Sequence, residues 1–148
     1  MKTRTILYRR EFRESFPIHL QAQDQGESAF EHDHNFFEWI FVRKGQGVHL
    51  FRGVQTPISR GDFWVIPCGE RHAYLSGSRL KIVNVYVHPS LFAWLPATLS
   101  GLEAGNRLFP RTAAKTFPLR ATFLHDRQAC LDKTLLEMER ETVERGPA

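Results

Sequence analysis

Between residues 28 and 88 the chain switches repeatedly between short apolar runs and short breaks rich in Gly and Pro. Phe36-Phe37-Glu38-Trp39-Ile40-Phe41-Val42 is aromatic and β-branched, a strand composition. Arg43-Lys44-Gly45-Gln46-Gly47 reads as a turn, and Val48-His49-Leu50-Phe51 as the returning strand of a hairpin. Gly53, Pro57 and Gly61 punctuate the next stretch. Asp62-Phe63-Trp64-Val65-Ile66 is a further strand, closed by Pro67-Cys68-Gly69. Lys81 to Val87 alternates through Ile82, Val83, Val85 and Val87 into another. Short strands at such spacing predict a mainly β fold, a sandwich or closed barrel.

The pattern changes after His88-Pro89. Ser90 to Leu95 suits a helical turn, and Leu99 to Pro110 a loop. From Arg120 to Arg145 there is no Gly or Pro, and Glu, Arg and Leu dominate, which predicts a helix ended by Gly146-Pro147. Phe117, Leu124, Leu131 and Met138 recur every seven residues, with Leu135 beside them. This stripe has two readings: packing against the chain's own barrel, or a two-fold dimer contact. Residues 1–115 are expected to form the barrel with an N-terminal arm, and residues 116–148 a helical dimerisation or linker segment.

Composition narrows the class. A chain of 148 residues fits one domain with a short appendage, and 42 % apolar with 24 % charged residues is enough for a real core. Twelve Phe and three Trp predict an aromatic-rich core. No stretch approaches the ~18 apolar residues that cross a membrane. The start lacks the apolar stretch of a signal peptide. A cytoplasmic protein with no membrane partner is expected, and in that compartment Cys68 and Cys130 are expected as free thiols. The net charge of +4 and pI near 9.4 invite a nucleic-acid reading. However, the densest basic cluster (Arg4, Arg9, Arg10, Arg13) is interrupted by Glu11 and Glu14, as in a solvated basic face.

The chemistry concentrates in His32-Asp33-His34-Asn35-Phe36-Phe37-Glu38 and in His72. Alternate residues of a strand share a face, so His32, His34, Phe36 and Glu38 point one way, and Asp33 and Phe37 the other. An unpaired buried carboxylate is costly, and buried charges are usually paired or bound to metal. Imidazole and carboxylate together suit one divalent transition metal: Zn, Ni, Fe, Mn or Cu. His72 follows a Pro-x-Gly turn able to redirect its strand toward the same interior. His49 and His88 sit in apolar strands, and His49 faces the pocket if its strand phase allows. His19 and His125 have no partner pattern. Cys68 suits either a pocket mouth or a small buried thiol.

These residues resemble the cupin motifs. Gly26, His32, His34, Glu38 and Gly45 match G-x5-H-x-H-x3-E-x6-G in full. Gly61, Pro67, Gly69 and His72 match G-x5-P-x-G-x2-H-x3-N, with Ser76 in place of the final Asn. The resemblance implies a double-stranded β-helix, or jelly-roll barrel, with His32, His34, Glu38 and His72 as metal ligands. A narrower resemblance covers roughly the central 60 residues. His34 to Trp39, Gly45 to His49, Ile58 to Asp62, Ile66-Pro67, His72-Ala73-Tyr74 and Leu80 to Val87 look like the N-terminal domain of AraC-type transcription regulators, particularly those of rhamnose operons. That resemblance implies a barrel that binds a small effector, often a sugar, then a dimerisation helix, then two helix-turn-helix motifs. No helix-turn-helix segment is found here, so DNA contact is expected only through a part this chain lacks.

Two functions compete. In the first, the chain is an effector-sensing, homodimerising module. A sugar-like molecule binds among the four ligand residues or their metal, and against Phe36, Trp39, His49, Trp64 and Tyr74. In the second, it is a small metal-dependent enzyme of isomerase or dioxygenase type. A catalytic acid or base is needed there, and only Tyr74 and Tyr86 are candidates, by strand parity. The sensing module is the expectation, with no catalytic residue assigned.

Overall fold

Eight strands and one long helix arise among the described residues of the computed structural model, which are 4–7, 17–25, 30–93, 108–109 and 120–144. The strands are β1 (Arg4–Ile6), β2 (Ile18–Gln25), β3 (His32–His34), β4 (Phe37–Phe51), β5 (Val54–Ser59), β6 (Asp62–Ile66), β7 (His72–Val87) and β8 (Arg120–Thr122). The helix, α1, spans His125–Glu144, and a short 3-10 turn covers Pro89–Ala93. The fold is mainly β with a C-terminal helix, as the strand pattern predicts. No helix is long and apolar enough to cross a membrane.

Two long antiparallel strands form the spine. β4 pairs with β7 from Phe37↔Val87 to Phe51↔His72. On its other edge β4 meets β6 near Glu38–Phe41 and β5 along Gln46–Phe51. On its other edge β7 meets β2 along Leu80–Val87 and β3 at His72. Alternation along β4 separates two cores. Ile40 and Val42 join Phe51, Ile58, Trp64, Ile66, Tyr74, Leu80 and Ile82 on the inner face. Phe37, Trp39 and Phe41 join Val83, Val85 and Val87 on the outer face, which α1 covers with Leu131, Leu135 and Met138. Of the two readings of the apolar stripe, packing on the chain's own barrel is therefore the one seen at these three positions. Leu124 is 73 % exposed, and Phe117 lies outside the described residues.

Several boundaries differ from the sequence pattern. Residues 43–47 are no turn: β4 runs straight through them, with register irregularities between Val42 and Lys44, Lys44 and Gln46, and Gly47 and Val48. Gly45, at φ 79°, supplies the left-handed conformation that such bulges use. The hairpin turn instead falls at Arg52-Gly53, both at positive φ. β5 tolerates Pro57 because it pairs with β4 alone, as an edge strand. Residues 120–122, expected to be helical, add strand β8 to the edge of β6. Gly61 sits where this segment crosses: a Cβ there would lie 2.5 Å from Gln128 Nε2 and 3.1 Å from the Phe123 carbonyl. Motif residue Gly26, most of the 99–110 loop and the helix end at 145–147 lie outside the described residues.

Candidate metal and effector site

Strand pairing brings the two motif segments together, since His32 of β3 lies opposite His72 of β7. The ligand atoms of His32, Glu38 and His72 all lie within 4.8 Å of one another. His34 joins through Glu38, its Nε2 3.1 Å from Glu38 Oε2, and His72 Nε2 is 2.9 Å from the same oxygen. His34, Glu38 and His72 are each at most 2 % exposed, and His32 is half-buried at the rim. Asp33 points the other way, 3.9 Å from Arg71. Alternation from His32 to Glu38 survives the bend at Asn35-Phe36.

The tautomers are set from behind. His32 Nδ1 lies 2.9 Å from the Phe30 carbonyl, and His34 Nδ1 lies 2.7 Å from the Phe36 carbonyl. A carbonyl only accepts, so Nδ1 donates in both, which turns Nε2 toward the cluster. His72 Nδ1 is paired with His49 Nε2 at 3.3 Å. The contacts around Glu38 have ion-pair distances. Among the described residues, His34 Nε2, His72 Nε2 and Glu38 Oε2 all lack a hydrogen-bond partner. Burial would raise the Glu38 carboxyl, but His72 and His34 outweigh it and hold it well below the usual range. Burial lowers the His72 imidazole despite Glu38. The site thus holds a carboxylate beside His34 and beside a His72 imidazole whose charged form burial disfavours.

A second layer of polar groups surrounds His49. Its ring is 4.9 Å from Trp64, 5.4 Å from Tyr74 and 5.5 Å from His72, centroid to centroid. Burial, then His72, push His49 down to about 3, so it is neutral near pH 7. Burial, then Glu38, push the Tyr74 phenol well up, so it stays protonated. Trp64 Nε1, Tyr74 Oη and His49 Nδ1 are buried without a hydrogen-bond partner among the described residues. Phe36 stacks on His34 at 4.4 Å and forms the adjoining wall.

Four of the five aromatic or imidazole positions expected around an effector, Phe36, His49, Trp64 and Tyr74, therefore gather near the ligand cluster. Trp39 does not. Glu38 and Ile40 face inward, so Trp39 between them faces outward. It packs on Phe109 at 5.1 Å and donates its Nε1–H to the Leu108 carbonyl at 3.1 Å. Cys68 likewise packs against the outer core, where burial raises its thiol to about 11.

Over residues 17–141 the sequence matches the family described as the AraC-like ligand binding domain. The chain belongs to that family. The HTH-type transcriptional activator RhaS of Yersinia pestis (strain Pestoides F) is 33 % identical over 82 residues, 55 % of this chain and 30 % of the relative. The RhaS of Yersinia pseudotuberculosis serotype O:1b aligns to the same extent. The chain spans about a third of the length of these curated relatives. Among solved structures, ToxT from Vibrio cholerae shares the fold, at a TM-score of 0.59 and 12 % identity over 81 % of this chain and 48 % of that one.

The AraC-like domain also carries polar residues that the sequence reading left without a role. The composition of β2 does not mark it as a strand, so the sequence alone assigns Gln21 and Gln23 no face. Paired with β7, they meet Tyr86 and Asn84. The available signal is the apolar–polar alternation from Ile18 to Gln23, which Asp24 breaks.

Proposed function

We propose that this AraC-like domain is the sensory part of a transcription regulator. It binds a small, polar, sugar-like effector in the barrel interior, beside one divalent metal held by His32, His34, Glu38 and His72. The observation that carries the reading is the convergence of buried polar atoms on one inner face without hydrogen-bond partners among the described residues. They are His34 Nε2, His72 Nε2, Glu38 Oε2, His49 Nδ1, Trp64 Nε1 and Tyr74 Oη. Each unsatisfied buried group costs roughly 1–3 kcal/mol, and a bound ion and ligand relieve that cost.

The donor set fits a metal. His34 Nε2 and His72 Nε2 both approach Glu38 Oε2, at 3.1 and 2.9 Å, and imidazole nitrogen with carboxylate oxygen is a donor set that divalent transition metals take. The hydrogen bonds behind each histidine are the support that ligating imidazoles use. When bound, the metal supplies a Lewis-acidic anchor for an effector oxygen. The protein's own groups do the rest: Tyr74 and Trp64 offer O–H and N–H donors, and Phe36 offers an apolar wall.

A path to the helix exists in the same strand. β4 carries Glu38 on the inner face and Arg43 further along. Arg43 Nε contacts Asp132 of α1 at 2.9 Å, and Arg60 reaches the same carboxylate at 3.4 Å. An effector that shifts β4 thereby biases α1. Homodimerisation through this segment belongs to the reading, supported by Leu124 and Leu136, which are left exposed there. DNA contact falls to other parts of a longer regulator.

Enzymatic use of the same site is the weaker alternative, because the other buried carboxylate among the described residues is already engaged. Apart from Glu38, the buried acid among the described residues is Asp62, which accepts from Ser59 N and Thr122 Oγ1. Calorimetric titration with neutral sugars and alditols, with one equivalent of zinc present, tests the proposal. Saturable heat from at least one compound, lost in Glu38→Gln, is expected. Turnover of a titrant instead of binding would move the assignment to the enzyme.

A further inference from the structure

Gln21, Gln23, Asn84 and Tyr86 form a hydrogen-bond network around one hydroxyl. Tyr86 Oη accepts from Gln23 Nε2 at 3.0 Å and from Asn84 Nδ2 at 3.1 Å, and donates to Gln21 Oε1 at 3.1 Å. Gln23 Nε2 also donates to Gln21 Oε1 at 2.9 Å. The network runs from buried Asn84, 2 % exposed, through Tyr86 to exposed Gln21. It adjoins the ligand cluster, since Tyr86 lies opposite Glu38 in the β4–β7 register and its ring meets Phe36 at 5.0 Å.

One atom in this network is unaccounted for. Among the described residues, Asn84 Oδ1 is buried and has no hydrogen-bond partner. An amide oxygen in that state needs a donor. Asparagine among Ile82, Val83 and Val85 is also an expensive choice unless the amide is used. The four side chains carry no formal charge, so they select by the direction of hydrogen bonds, not by sign of charge. A hydroxyl fits, because it donates to Asn84 Oδ1 while its oxygen accepts from a neighbouring group. The ring of Phe36 offers the apolar face that a carbon skeleton packs against.

We infer that Asn84, Tyr86, Gln21 and Gln23 form a hydroxyl-reading subsite that makes the effector a neutral polyhydroxyl compound, with Asn84 as its specificity-determining residue. The inference rests on the sensory reading above and deepens it.

The test is a binding panel read by thermal shift and calorimetry on the 148-residue chain. The panel holds neutral pentoses, hexoses and alditols, with uronates and sugar phosphates as charged counterparts. A neutral member is expected to bind, and Asn84→Leu to weaken it roughly tenfold, the scale of one buried hydrogen bond. Gln21 is exposed, so Gln21→Leu keeps the fold and is expected to weaken binding several-fold, even if Asn84→Leu fails to fold. Wild-type affinity in Gln21→Leu and in any folded Asn84→Leu overturns the subsite and leaves the sensory reading standing. Binding confined to uronates or phosphates does the same. No binding by any member overturns both.

Discussion

Tyr74→Phe is expected to stabilise the ligand-free protein, the opposite of most core substitutions. Tyr74 is 3 % exposed, and its hydroxyl has no hydrogen-bond partner among the described residues. Burial keeps the phenol protonated, so the folded state bears the desolvation of a neutral O–H with nothing in return. Phenylalanine keeps the ring, its 5.4 Å approach to His49 and its place in the inner core. Removing an unsatisfied buried hydroxyl is worth about 1–3 kcal/mol. For a domain near 150 residues each kcal/mol moves the melting temperature by roughly 2–4 °C. A rise of several degrees is therefore expected in melts followed by circular dichroism, with a matching shift of the urea midpoint at unchanged slope. With saturating effector the ranking should invert, because the hydroxyl then has a partner. Destabilisation of the ligand-free protein by about 1 kcal/mol or more would refute the reasoning, since it would show that the hydroxyl is satisfied without ligand.

Four further outcomes follow from the same geometry. Leu135→Ala, at a position 2 % exposed where α1 meets the outer core, should cost about 2–5 kcal/mol in chemical denaturation. Trp39→Phe should leave effector affinity unchanged and cost about 1 kcal/mol of stability through the lost bond to Leu108, which separates it from inner-face residues in a paired binding and melting assay. Thiol labelling at pH 8 should show one fast cysteine, exposed Cys130, and one slow, Cys68, whose thiol is pushed up to about 11; two equal fast phases would contradict that burial. Asp132→Asn should leave effector affinity within about twofold in calorimetry while reducing the effect of the effector on dimerisation measured by sedimentation, because it weakens the Arg43 and Arg60 contacts that join α1 to the barrel.

The convergence of His32, His34, Glu38 and His72 was legible because its information is local. His32, His34 and Glu38 share a parity, and the Pro-x-Gly spacing before His72 marks the strand that returns to them. His49 shows where local reading stops. It lies an odd number of positions from Glu38, so an unbroken strand would place it on the outer face with Trp39. The irregularities between Val42 and Val48 shift the phase, and His49 turns inward beside His72. The glycines in that irregular stretch, Gly45 and Gly47, look like a hairpin turn in sequence. Their neighbours Arg43 and Lys44 add to that appearance, although Arg43 is held by Asp132, 89 positions away. Gln21 and Gln23 were invisible for a related reason. Their strand is defined by pairing with the distant β7, from Ile18↔Val87 to Gln25↔Leu80, more than by its own composition. β8 likewise exists because the edge of β6 is available to residues 120–122, whose own sequence favours helix.

The most direct test of the account is the metal content of the untagged protein, purified without chelator or added metal, measured by mass spectrometry beside His72→Ala and Glu38→Gln. The account predicts close to one equivalent of a single divalent transition metal per chain, lost in both variants while their circular dichroism stays that of a folded β protein. Wild-type protein that is folded and metal-free, and that takes up no zinc, nickel, manganese, iron or copper in calorimetric titration, would contradict it. His32, His34, Glu38 and His72 would then be groups that read the effector directly.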